Sequence, residues 1–152
     1  MYEYALAVMK RNIFYRPMTR NNTDVRLAGN LGSNGKTLVG ELETKAKAQY
    51  FSCFAGSIVS IASKIFENEE DLVLGRKFVE GRLWAYEIMP LGIMPETMYM
   101  VIYKKKWREK VDKAIKGSET VDDTRYILRL EAIESVFILY RITGNPSLRD
   151  RA

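Results

Sequence analysis

The chain has 152 residues, of which 47% are hydrophobic, 28% charged and 11% aromatic. That apolar content can offset the entropy of ordering, which argues against disorder, and its wholly apolar runs fall far short of the roughly 20 residues a bilayer requires. One cysteine, Cys53, and no histidine exclude an intrachain disulfide, a multi-cysteine zinc site, Ser-His-Asp or Cys-His catalysis and imidazole–metal chemistry. The 24 lysines and arginines against 19 acids give a formal charge of +5. The basic residues are dispersed except for Lys104, Lys105, Lys106, Arg108, Lys110 and Lys113, which read as the solvated face of a helix and not as a nucleic-acid footprint.

Met1 is followed directly by an amphipathic pattern without a basic segment or cleavage site, so no signal peptide is read, and a chain made alone is expected to stay in the cytosol. A helix is expected over 2–15, halted by Arg16-Pro17. Over 24–43 the pattern changes: Val25, Leu27, Leu38 and Val39 flank Gly32-Ser33-Asn34-Gly35, and Asn34-Gly35 is a hairpin turn signal. The next helix covers about 51–66, with Ile58, Ile61, Ala62 and Ile65 at helical spacing. Asn68 is an N-cap, followed by Glu69, Glu70 and Asp71, which suit a first turn. That helix carries Leu72, Val79, Leu83 and Tyr86 and ends before Pro90. A helix is expected over 107–116, stopped by Gly117, and another from about 130 to 143, with Ile133, Phe137 and Tyr140 on one side and Gly144 as its C-terminal stop. Asn145-Pro146 then opens a short further helix. These elements describe a mainly α chain with one short β-hairpin. Two long irregular loops, 16–24 and 88–97, are places where function often sits.

Without histidine, acid–base chemistry falls to carboxylates, lysines and tyrosines. Glu131 and Glu134, three apart at a helix start, share a face beside Arg129. They serve either to stabilise the helix N-terminus or, with the guanidinium, to orient a water, a sugar hydroxyl or a hydrated cation. Glu96, directly after Pro95, is either a helix-entrance acid or a functional one. Cys53 lies among aromatics with no basic neighbour in sequence, the setting of a buried inert thiol. Gly32-Ser33-Asn34-Gly35-Lys36-Thr37 lacks phosphate-loop spacing and a preceding long strand. Asn21-Asn22-Thr23 is a glycosylation sequon, meaningful only in a secretory protein.

Four stretches in order resemble glycoside hydrolase family 47, the class I α-1,2-mannosidases. Phe14-Tyr15-Arg16-Pro17-Met18 is similar to a loop of the fungal members. Gln49-Tyr50-Phe51-Ser52-Cys53-Phe54-Ala55-Gly56 resembles Q-H-L-x-C-F-x-G. Gly81-Arg82-Leu83-Trp84-Ala85-Tyr86 and Gly92-Ile93-Met94-Pro95-Glu96 resemble D-G-C-x-W-A-Y and G-[IL]-x-P-E. The stretch from Tyr126 to Ser135, with Tyr140-Arg141-Ile142-Thr143-Gly144, resembles Y-[IL]-L-R-P-E-x-x-E-S and Y-R-x-T-G.

The resemblance implies a partial (α/α)7 barrel, with residues 1–152 a fragment of one catalytic domain incomplete at both ends. It implies a calcium-dependent, inverting hydrolysis of terminal α-1,2-mannose on high-mannose N-glycans, in the endoplasmic reticulum, the Golgi or outside the cell. By the same resemblance Glu131 falls on the general base, Arg129 and Glu134 on residues lining that subsite, and Glu96 on a sugar- or calcium-side acid; no metal ligand is assigned in this chain. The general acid is expected before Met1 and the calcium-holding segment after Ala152. The chain departs from the motifs at Tyr50 for histidine, Leu130 for proline and Arg82 for cysteine, the last implying that Cys53 lacks the family's disulfide partner. An inactive mannosidase fragment is therefore expected; the alternatives are a mannose-glycan binding or quality-control module without catalysis, and a reused helical scaffold.

Overall fold

A computed structural model describes residues 1–32, 35–36, 44–105, 118–127 and 129–151. Among the described residues five α-helices are joined by short strands. Helix α1, Tyr2–Asn12, leads into β1, Phe14–Tyr15, which pairs antiparallel with β2, Leu27–Ala28. Strand β3, Asn30–Leu31, pairs with β4, Thr44–Lys45. Strand β5, Lys47–Gln49, is followed by a single 3₁₀ turn, Tyr50–Cys53, and helix α2, Phe54–Ile65. Helix α3 is Glu69–Glu87, and β6, Thr97–Met100, lies between β5 and β7, Ser118–Asp123, in a three-stranded antiparallel sheet. Helix α4, Glu131–Thr143, and the short α5, Pro146–Asp150, complete the described chain.

The helical expectations hold at most boundaries for the stated reasons. Asn68 caps α3, its side-chain oxygen accepting from the backbone N–H groups of Glu70 and Asp71. Gly144 ends α4 in the left-handed conformation at φ 67°, which a glycine adopts without steric cost. Asn145 caps α5 with Pro146 in its first turn. Helix α1 is shorter than predicted because its last residues turn into β1. Around the predicted hairpin turn Asn30 and Leu31 pair antiparallel with Lys45 and Thr44, while Leu27, read as its flank, pairs with Tyr15; the sheet of β5, β6 and β7 is additional. Asn34, Leu38, Val39 and the helix predicted over 107–116 lie outside the described residues. Of the two irregular loops, the first is fastened by Met18 N–H to Val101 O (2.7 Å) and Tyr103 N–H to Arg16 O (2.8 Å).

The inward faces of α2 and α4 differ from the apolar stripes read in sequence. On α2 the buried residues are Gly56, Ser57, Val59, Ser60, Ala62 and Ser63, whereas Ile58, Ile61 and Ile65 are exposed. The reason is close helix packing. A β-carbon on Gly75 of α3 would stand 3.1 Å from Ser60 N and 3.2 Å from Gly56 O, so only small residues fit between these backbones. The buried serines remain satisfied because each hydroxyl donates to its own helix: Ser57 to Phe54 O, Ser60 to Gly56 O and Ser63 to Ser60 O. On α4 the buried residues are Ala132, Ser135, Val136 and Leu139, while Ile133 and Phe137 face outward.

Two apolar clusters result. One joins Tyr15, Leu27, Ala48, Tyr50, Cys53 and the methionines Met94, Met98 and Met100 beneath the three-stranded sheet. The other packs Val79 of α3 against Val136, Leu139 and Leu148. No helix among the described residues is long and apolar enough to cross a membrane.

Candidate functional site

The site is built where α4 meets the 3₁₀ turn. Ser135 Oγ donates to Cys53 O (2.7 Å) and accepts from Ser57 N (3.3 Å), which clips α4 to the start of α2. Glu131, one turn earlier, opens α4, and its side chain is only 12% exposed. Its Oε1 is 3.5 Å from Arg129 Nη1, and its Oε2 is buried with no hydrogen-bond partner. Glu96 reaches the same guanidinium from the other side. Its backbone is fixed between β5 and the segment after β7, since Tyr50 N–H donates to Glu96 O (3.0 Å) and Glu96 N–H donates to Arg125 O (3.1 Å). Its carboxylate accepts from Arg129 Nε at 2.8 Å. The two carboxylates, Glu96 foremost, hold the Arg129 guanidinium above its ordinary pKa.

Three of the four residues predicted for the site therefore converge: Arg129, Glu96 and Glu131. Glu134 is exposed, and no described ion pair or hydrogen bond involves its carboxylate. Two roles read for the helix start thus divide between two acids, with Glu131 turned toward the guanidinium and Glu134 toward solvent at the positive end of α4.

Tyrosines, which the residue-level reading named only as possible acid–base groups, form the wall. Tyr50 is 2% exposed, and its hydroxyl donates to Arg129 O (2.6 Å) while being hydrogen-bonded to the Tyr86 hydroxyl. Because the Tyr50 proton goes to a carbonyl, Tyr86 is the donor of the second bond. The ring of Tyr50 stands edge-on to Tyr86 and to Tyr126, each with centroids 6.2 Å apart. Burial pushes the Tyr50 phenol up to about 12, and burial with donation to Tyr50 raises Tyr86 further. These residues, with Arg82 and Arg129, line a cavity of about 570 Å³, a size that accommodates a small ligand. The one sequence signal for Tyr50 was its place in the Q-H-L-x-C-F motif.

A sequence model of glycosyl hydrolase family 47 matches residues 1–152. The chain belongs to that family. Among its relatives, a mannosyl-oligosaccharide 1,2-alpha-mannosidase of Candida albicans is 26% identical over 98% of this chain and 30% of its own length. A probable mannosyl-oligosaccharide alpha-1,2-mannosidase 1B of Neosartorya fischeri is 29% identical over 68% of this chain and 21% of its own length. The solved alpha-1,2-mannosidase from Trichoderma reesei superposes with a TM-score of 0.74 at 19% identity, covering 97% of this chain and 29% of that one. The chain thus spans less than a third of the length of these relatives.

Within the family 47 motif that carries cysteine after glycine, this chain has Arg82. It is 2% exposed, donates through Nη2 to Ser52 Oγ and lies with Nη1 3.9 Å from Met94 Sδ. Cys53 is buried and free, as predicted. The expectation that it has no basic neighbour is corrected by Arg82, 29 residues away in sequence but close enough in space to favour the thiolate. Burial outweighs that effect and raises the Cys53 thiol above its ordinary value, so the thiol remains unreactive.

Proposed function

We propose that this chain is the part of a family 47 α-1,2-mannosidase that supplies the general base and one wall of the mannose subsite, on a partial (α/α)7 barrel, and that it does not turn over by itself. The observation that carries the reading is the free Oε2 of Glu131, a buried carboxylate oxygen with no partner on a group whose other oxygen faces Arg129. A carboxylate so held can accept a proton from a water attacking an anomeric carbon, which is the base half of an inverting hydrolysis. Arg129, permanently charged, keeps Glu131 and Glu96 together and offers donors to sugar hydroxyls. Glu96 is a positioning acid in this scheme. Tyr50, Tyr86 and Tyr126 supply the aromatic wall against which a pyranose ring packs.

Calcium belongs to the proposal through family membership alone. Among the described residues no three histidine, cysteine, aspartate or glutamate side chains gather to hold a metal ion. High-mannose N-glycans as substrates, and the endoplasmic reticulum, Golgi or cell exterior as the place of action, follow from the same membership. The aromatic cavity also favours a second reading, mannose-glycan binding without cleavage.

The test is to incubate the chain with Manα1-2Man and calcium, following both mannose release and binding through intrinsic tyrosine and tryptophan fluorescence. The expected result is saturable binding that Arg129→Ala abolishes, with mannose release at the level of the blank. Absence of binding at millimolar disaccharide would refute the subsite. Turnover that survives Glu131→Gln would refute the base assignment.

A further inference from the structure

Among the described residues Arg82 is the largest of the fully buried side chains, and none of their acids stands beside its charge. The other arginines around the cavity have acids beside them: Arg129 meets Glu96 and Glu131, and Arg151 meets Glu80 and Glu87. No carboxylate of the described residues lies within the 4.0 Å of an ion pair from Arg82. Of its five N–H donors, one meets the hydroxyl of Ser52 and one the weakly accepting thioether of Met94, while Nε is buried without a partner. A guanidinium does not relieve such burial by losing its proton, and an uncompensated buried charge is among the costliest features a fold can carry.

The same residue lines the 570 Å³ cavity together with Arg129 and Arg151. We propose that the Arg82 end of this cavity is an oxyanion site, taking a phosphate or carboxylate group as the counterion that no described residue supplies. The planar fork of a guanidinium matches two oxygens of either group, a bidentate geometry that favours arginine over lysine. The family motif that Gly81 to Tyr86 resembles has cysteine at that place. The site therefore adds to the sugar-cleaving reading and does not depend on it. The other buried orphan nearby, Oε2 of Glu131, belongs to a carboxylate already facing Arg129.

The experiment is thermal unfolding and isothermal titration of the chain with inorganic phosphate and, separately, acetate, against sodium chloride at matched ionic strength. A saturable heat and a melting temperature that climbs with phosphate or acetate beyond the chloride control are expected. At 100 times the dissociation constant, the unfolding equilibrium should shift about 100-fold toward the folded state. A response to phosphate alone assigns a phosphate group, and a response to acetate alone a carboxylate. Arg82→Met should fold without the anion and show no response, and Arg82→Lys should keep a weaker one. Should Arg82→Met fail to fold, broadening of the ³¹P resonance of phosphate by the native chain, reversed by excess unlabelled sulfate, supplies the same readout. Heats and melting curves identical to chloride, or an equal response in Arg82→Met, would overturn the proposal. Sugar binding is read without added oxyanion, so the two proposals fail separately.

Discussion

Gly81 lies on α3 where that helix presses against the segment entering β2, and a single methyl group there should be felt throughout the fold. A β-carbon at this position would fall impossibly close to the carbonyl oxygen of Arg26, 3.2 Å from its carbonyl carbon and 3.3 Å from Leu27 Cδ2. Backbone cannot swing aside as a side-chain tip can, so α3 and residues 26–27 must separate. Alanine gains about 1 kcal/mol of helix propensity over glycine. Against this stand about 1–3 kcal/mol for overpacking and about 0.5–1.5 kcal/mol for the Arg26 N–H to Lys77 O hydrogen bond, 3.0 Å long in the native chain. The balance is a loss of about 2 kcal/mol, or a melting temperature lower by about 4–8 °C for a chain of this size. Urea unfolding followed by circular dichroism measures it, as a lower midpoint at unchanged slope. A Gly81→Ala chain as stable as the native one, or more so, would show that helix propensity governs here and that the close approach of α3 to Arg26 is not a constraint.

Other consequences are as direct. Asn68→Ala removes the acceptor of two backbone N–H groups at the start of α3 and should cost about 1 kcal/mol, read as a lower urea midpoint. In an alkaline titration followed by phenolate absorbance, Tyr15, Tyr50 and Tyr86, all raised by burial, should stay neutral at the pH of about 10 where a phenol free in water ionises. A phenol whose folded value is raised contributes stability fully present below its unfolded value and lost as pH climbs through the folded one, so unfolding should accompany their ionisation near and above pH 12; a single step of all phenols near 10 would contradict this. Arg82→Cys restores the cysteine of the family motif, and under mild oxidation it should remove both free thiols in a thiol count; two titratable thiols after oxidation and unfolding would show that residues 53 and 82 are not placed for a bridge.

The long helices were readable because their signals are local. Asn68 before three acids and Gly144 after the last apolar turn define ends that neighbours a few residues away determine. The three-stranded sheet was not readable, because β5 and β6 are three and four residues long and pair across about fifty residues, beyond any local pattern. Burial on α2 was misjudged for a different reason. Apolarity alone points to Ile58, Ile61 and Ile65, but where Gly56 and Ser60 meet Gly75 the close approach of α2 and α3 leaves room for small side chains only, so serines turn inward. At the site, Glu131, Arg129 and Glu96 were legible through motif resemblance. The Tyr50–Tyr86 pair and the burial of Arg82 depend on which side chains meet across 36 and 30 residues, and spacing carries no trace of that.

The bonds that join α4 to the 3₁₀ turn have a temporal meaning. Ser135 reaches Cys53 across 82 residues and Tyr50 reaches Arg129 across 79, so the site closes long loops. Loop-closure entropy must be met before such contacts return anything, and high contact order slows folding. Helices α2 and α3 can pair early, from neighbouring sequence. The pocket exists only after α4 has been synthesised and has docked, so a nascent chain ending before Glu131 contains the scaffold and all three tyrosines of the wall but no candidate site. Over these residues folding order and synthesis order thus coincide, with the candidate site assembled after α2 and α3 have paired.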